Sequence, residues 1–350
     1  MTNTLDSFDP KVRRQALQEV PKNFRTPGAD FNLHSHTFYS YNAYGYSPTH
    51  FAVLAKQRGL AYAGIVDFDV LDGLEEFYAA ADYLGLKAVV SMESRVFVPE
   101  FATRVINSPG EPGIAYHMGV GFPRFVEHPT MGKTSEQRNR ELVDRVNKFL
   151  SPVTLDYDKD VLPLTPNGNA TERHICEAYS KKGDATFWKA KLGDWPADPG
   201  KQQALIRAKT MKKGGVGYAQ PSKGAFPTMA EVNKFILDAS AIPTLTWLDG
   251  LSDGEQCIEE LFEVAMKSGA AALNIIPDRN LSTPQHVKNL QEVVALAEKH
   301  NFPIVVGTEM NAPGNKFVDD FSHPVLKELL PVFTKGAQRV YEHVQNKRKI

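Results

Sequence analysis

Seven short apolar or β-branched runs, separated over much of the chain by segments of helical period, constrain this sequence more than any other feature. The runs are Phe31 to His36, Tyr62 to Phe68, Ala88 to Glu93, Ala115 to Val120, Ile242 to Trp247, Ala271 to Ile276 and Pro303 to Glu309. Strand alternating with helix predicts βα units and a parallel sheet. Between the first two runs, Ser47-Pro48 supplies an N-cap and a first-turn proline for a helix over His50 to Arg58, and Leu74 to Leu84 carries apolar residues at helical spacing. At 350 residues the simplest fit is one barrel with an insertion.

The insertion shows as a break in the pattern between Val120 and Ala239. Glu136 to Leu150 predicts a helix, and a Pro-, Gly- and Lys-rich succession of short helices and turns follows to about Gly224. This divides the chain into an N-terminal extension (1–27), a barrel (28–125 and 236–350) and a mainly helical cap (126–235), set where loops at a barrel's catalytic face carry such additions. Net charge is −1 overall, which gives no reason to expect duplex nucleic acid as a partner. Residues 171 to 224 depart from that balance, with eleven Lys or Arg against five Asp or Glu. This is either a solvated helical face or a field that draws in an anion.

The polar start lacks an apolar secretory stretch and no run is long enough to span a bilayer, so a cytoplasmic protein without a membrane partner is expected. Cys176 and Cys257 lie far apart with no Cys-x-x-Cys neighbour, the pattern of free thiols packed as small hydrophobes.

Residues with chemistry to offer stand where the runs end. They are His34 and His36 in Leu-His-Ser-His-Thr, Asp67 and Asp69 in Val-Asp-Phe-Asp, Glu93 in Ser-Met-Glu-Ser, His117 in Tyr-His-Met-Gly and Glu309 in Gly-Thr-Glu-Met-Asn. Alternation along a strand turns His34 and His36 to one face, where both can grip one cation. In a parallel barrel the strand ends converge on one rim, so acids and imidazoles distant in sequence become neighbours.

In order these motifs resemble the polymerase and histidinol phosphatase (PHP) superfamily of hydrolases, (β/α)7 barrels with up to three metals. The likeness covers nearly all of residues 29–125 and 225–325: His34-Ser-His36-Thr37, Val66-Asp67-Phe68-Asp69 for Thr-Asp-His-Asp, Glu93, and His117 in a His-x-x-Gly-like strand. Thr246-Trp247-Leu248-Asp249 stands for Ala-His-Pro-Gly, and Gly307-Thr308-Glu309-Met310-Asn311 for Gly-Ser-Asp-x-His. Within the insertion, Glu172-Arg173-His174-Ile175-Cys176 is similar to the Arg-x-His-Ile-Ala helix of the nucleotide-phosphatase branch.

The resemblance implies a distorted TIM-like barrel and a degenerate metal site. One metal position would keep His34, His36, Glu93 and Glu309; a second would keep only Glu93 and His117, because Trp247 has no lone pair to offer. The three histidines of the third are replaced by Asn42, Phe68 and Asn311. Phe68 and Trp247 would fill the vacated volume with apolar bulk. One divalent ion, or at most two, is expected, and zinc, manganese and iron(II) all suit such donors.

With fewer ions, positive side chains must replace some of their charge or the substrate must differ. Arg95 follows Glu93 on the same strand face, Arg173 and His174 reach down from the cap, and Arg279 follows the sixth strand. Tyr41, in a tyrosine-rich loop, and Asn42 and Asn311 are further substrate-binding candidates, and proton transfer falls to Asp67, Asp69, Asp249 or His117. The leading expectation is a hydrolase of PHP type in which a metal-activated water attacks a small phosphorylated or otherwise anionic substrate. A metal-dependent lyase, isomerase or non-phosphate hydrolase acting on a sugar or sugar acid comes second, and a non-catalytic binding protein third. Oligomeric state is open.

Overall fold

In the computed structural model, residues 4–129, 131–220 and 224–349 are described. The first three residues of the expected N-terminal extension, and residues 130 and 221–223 of the expected cap, lie outside them. Seven strands form one sheet in sequence order: β1 (Phe31–Ser35), β2 (Tyr62–Phe68), β3 (Ala88–Phe97), β4 (Ile114–Val120), β5 (Ile242–Trp247), β6 (Ala272–Ile275) and β7 (Ile304–Val306). The barrel nearly closes. Past the end of β7, Glu309 donates its N–H to the His34 carbonyl (2.7 Å) and accepts from the His36 N–H (2.8 Å), forming a parallel bridge with Ser35.

The expected parallel sheet needs one correction. β4 runs antiparallel to both β3 and β5, while the other pairs are parallel. The cause is the connection between β3 and β4, residues 98–113, which contains a short 3-10 turn at Pro99–Phe101 and no crossover helix to carry the chain back to the starting rim. β4 therefore starts at the rim where its neighbours end and leaves by the opposite one.

The chain returns to the upper rim along a long helix. The helices are α1 (Pro10–Gln18), α2 (Pro48–Arg58), α3 (Leu74–Leu84), α4 (Met131–Leu150), α5 (Glu172–Ser180), α6 (Ala185–Leu192), α7 (Pro199–Ile206), α8 (Met229–Asp238), α9 (Ile258–Lys267), α10 (Pro284–Lys299) and α11 (Pro324–Arg348). The 20 residues of α4 span about 30 Å at the usual rise. They lead to a helical cap with its own apolar cluster, including Val146, Ile175, Tyr179, Trp188 and Ile206, separate from the barrel core.

Local signals set the helix ends as expected. Ser47 accepts the His50 N–H and Gly59 closes α2 in the left-handed conformation that glycine adopts without strain. The N-terminal segment is tied to the barrel through Arg13, which is buried, ion-paired to Glu76 of α3 and stacked 5.1 Å from the Phe38 ring centroid. Both cysteines are free thiols; Cys176 is buried in α5, and burial pushes its pKa up to about 12. Among the described residues no helix is long and apolar enough to cross a membrane.

Candidate metal centre

His34 and His36 lie on and just beyond β1, where a register shift between Asn32 and Ser35 kinks the strand. Both are fully buried, their ring centroids 5.4 Å apart. Glu93 enters from β3, with its Oε2 3.4 Å from His36 Nε2 and 4.0 Å from His34 Nε2. One donor atom from each of the three can be chosen so that all lie within 4.8 Å of one another. The Nε2 atoms of His34 and His36, both turned to Glu93, have no hydrogen-bond partner. Buried polar atoms are almost always paired, so two lone nitrogens facing a carboxylate are the mark of a cation site.

Electrostatics agree. Burial pushes both imidazoles below the ordinary histidine range, so they stand neutral with lone pairs available. Burial also raises Glu93, and nearby Glu309 and Asp69 hold it high against His34 and Arg279, to about 8. A divalent ion would supply the positive charge that this carboxyl lacks, so the donor set fits a metal.

His36 is held from behind. Its Nδ1 lies 3.0 Å from Ser40 Oγ, which donates to Asp67 Oδ1 at 2.6 Å, and Asp67 also accepts from the Thr37 N–H (2.9 Å) and hydroxyl (2.7 Å). Burial raises the Asp67 carboxyl, against the pull of Ser40, His36 and Thr37. Phe68 closes the opposite side of the ring, with centroids 4.5 Å apart.

A cavity of about 220 Å³ opens from Glu93 toward the cap. Of the expected substrate-binding residues, Arg95, Tyr41, Arg173 and Asn311 line it, as do Arg279, Asp69 and Glu309. Glu309 and Met310 adopt left-handed φ of 63° and 53°, an uncommon conformation outside glycine, as the backbone closes the barrel. The Glu309 carboxylate borders the same cavity, but it is not part of the tight set formed by His34, His36 and Glu93.

Other expected site residues are placed elsewhere. His117 faces outward, because Glu93 is directly opposite Met118 on β4 while His117 is opposite Ser94, on the other face. Its Nε2 meets Asn233 of α8. Trp247 likewise packs outward beside Gly250 and Asn289, so it plugs no metal position; Leu248 borders the cavity instead. Asp67 is buried behind His36 with its oxygens occupied, and Asp249 forms a turn with the Leu251 N–H (2.9 Å), away from the cavity. Asn42 braces its loop through the His36 carbonyl (2.8 Å) and the Tyr44 N–H (2.8 Å). His174 caps α5 by accepting the Thr171 N–H (3.0 Å) and packs edge-on against Tyr41; burial pushes its pKa down to about 3.

Sequence reasoning missed Ser40, Tyr116, Arg207, Lys212 and Glu172, all of which line the cavity. Arg207 and Lys212 lie in the basic stretch, so its charge excess was the available signal. They pair with Glu172 at 2.8 and 2.7 Å. Against burial, which would raise it, Lys212, Arg207 and Arg95 hold Glu172 well below the usual carboxylate range. Arg95 pairs with Glu111 (3.1 Å). The side chains of Arg173 and Arg279 form no ion pair within 4.0 Å among the described residues; Glu309 acts on Arg173, and Arg279 on Glu93, at longer range.

No protein-family model matches the chain, and no curated protein matches it in sequence. Among the solved structures that share its fold are two hydrolase-like proteins. An amidohydrolase from Chromobacterium violaceum, determined with bound sulfate and no metal, is 17% identical with a TM-score of 0.57, over 87% of this chain and 96% of that one. A candidate metal-dependent phosphoesterase from Bifidobacterium adolescentis is 16% identical with a TM-score of 0.58, over 88% of this chain and 98% of that one.

Proposed function

We propose that the protein is a metal-dependent hydrolase of PHP type acting on a small anionic substrate. The observation that carries this reading is one buried cluster, His34, His36 and Glu93, in which two imidazole nitrogens face a carboxylate that itself lines a cavity holding Arg173 and Arg279. A divalent ion held by these donors supplies Lewis acidity, polarising a substrate oxygen and acidifying water. Glu309 is the further carboxylate bordering the same space.

The chain's own residues fit an anion. Five basic side chains line the cavity with four carboxylates, and Glu93 tends to hold a proton until a cation arrives. Arg173 and Arg279 are available to grip an oxyanion and offset charge that further ions would otherwise carry. Asp69 replaces Asp67 as the proposed proton carrier, since its carboxylate borders the cavity whereas Asp67 is engaged behind His36. Tyr41 and Tyr116 give the walls aromatic surface suited to a sugar or base. The names carried by both fold neighbours, and the sulfate found in one, are consistent with this chemistry.

A second reading is favoured by Phe68, whose ring against His36 occupies space where a multi-ion clamp on a phosphate would be built. It keeps the metal and changes the reaction to a lyase, isomerase or non-phosphate hydrolase acting on a sugar acid. Metal analysis of the purified protein, followed by a substrate screen spanning phosphoesters and sugar acids, separates the two. Near one equivalent of metal with phosphoester turnover that vanishes in His36→Ala supports the first reading. Metal-loaded protein inert toward every phosphoester supports the second, and protein that binds no divalent ion overturns both.

A further inference from the structure

We infer that Ser40 is a positioning residue that fixes the tautomer of His36, with Asp67 as the acceptor on which its hydroxyl is anchored. The inference deepens the metal reading by naming what sets the affinity of the centre. Its physical content is a proton count. Ser40 has one hydroxyl hydrogen, and Asp67 Oδ1 lies 2.6 Å from its oxygen. Every other contact of that carboxylate is also a donation to it. The Thr37 amide can only donate, and the Thr37 hydroxyl accepts from the Tyr39 N–H (3.2 Å), which leaves its own hydrogen for Asp67 Oδ2 (2.7 Å).

With its hydrogen directed to Asp67, Ser40 presents only a lone pair to His36 Nδ1 at 3.0 Å. Nδ1 must then carry the ring hydrogen, and Nε2 is left bare, facing Glu93 Oε2 at 3.4 Å. The same heavy atoms permit the reverse arrangement, in which Ser40 donates to Nδ1 and Nε2 bears the hydrogen. That form would point an N–H at the cation position and bind nothing there. The direction of one hydroxyl thus decides whether the cluster can take a metal. His36, Ser40 and Asp67 are all buried, so bulk water does not compete for these contacts.

Long-range proton–nitrogen spectra of the metal-free protein test this, with the His36 signals identified by their loss in His36→Gln. The expected wild-type pattern is a pyrrole-like Nδ1 and a pyridine-like Nε2. Asp67→Asn should preserve it, because the new amide must turn its oxygen to the Thr37 N–H, which shares that position with Ser40. Ser40→Ala should mix the tautomers and weaken divalent-metal binding by about 10–100-fold, the usual cost of losing a partner behind a metal-binding histidine. An Nε2-protonated His36 in the wild type overturns the inference, as does a folded Ser40→Ala protein with unchanged tautomer and metal affinity. If Ser40→Ala does not fold, the wild type and Asp67→Asn decide the matter. A wild type that takes up no metal defeats the metal reading, while the tautomer still judges the role of Ser40.

Discussion

Replacing His117 with leucine should cost stability and leave the metal centre intact. The imidazole is fully buried on the outer face of β4, and its Nε2 meets Asn233 Oδ1. The neighbouring bonds fix that amide: Ser268 Oγ donates to the Ala265 carbonyl (2.8 Å), so it must accept from Asn233 Nδ2 (2.8 Å), which turns Oδ1 toward the histidine. Leucine strands this buried oxygen, at a cost of about 1–3 kcal/mol. Part of that is returned, because His117 Nδ1 is itself buried without a partner and disappears with the ring. A net loss of about 1–2 kcal/mol follows, roughly a few degrees in the melting temperature. The paired variant His117→Leu with Asn233→Leu should recover much of it, since removing both partners of a buried bond is nearly neutral and the half-buried Ser268 is reachable by water. Thermal melts of the three variants beside elemental metal analysis make the assay. If His117→Leu kept its stability but lost bound metal, the outward placement of β4 alternate positions, and with it the whole account of the site, would be wrong.

Acid should unfold the protein through its buried imidazoles. Burial holds His117 near 4 against an ordinary 6.5, so the unfolded chain binds the extra proton and stability falls as pH drops from about 6.5 toward 4. The contribution is about 3 kcal/mol, and melts between pH 7 and 4 should show a shallower fall in His117→Leu. On the alkaline side, burial followed by Asp278 pushes Asp319 up to about 7 from an ordinary 3.8, so its folded form holds a proton and stability is lost as pH rises through 7. Asp319→Asn should therefore be more stable than wild type at pH 8, by about 2–4 kcal/mol, and equal to it at pH 4. Equal melting temperatures at pH 8 would refute the assignment.

How much of the site could be read from the sequence follows from how the barrel is buried. All seven strands were legible as apolar runs, but the direction of β4 was not, because direction depends on pairing rather than composition. The absence of a helix-period segment in residues 98–113 was the available clue. Facing was harder still. A strand covered on both sides is apolar in both alternate sets, so a lone polar residue does not reveal which set points inward. His117 and Trp247 were misplaced for this reason, each by one residue. On β1, β3 and β5 the inward residues are instead the polar ones: His34 on β1 with His36 beyond it, Ser91, Glu93 and Arg95 on β3, Thr244 and Thr246 on β5. His117 shares its face with Ala115 and Gly119, and Trp247 with Leu245, so neither belongs to such a set. β2 and β4 are exceptions: β2 carries Gly64, Val66 and Phe68 on the face shared with Glu93 while Asp67 turns the other way, and β4 carries Ile114, Tyr116, Met118 and Val120 there. The β2 stripe ends where the resemblance expects a metal-binding histidine. With Phe68 at that position, His34, His36 and Glu93 are left as the tight donor set of the interior.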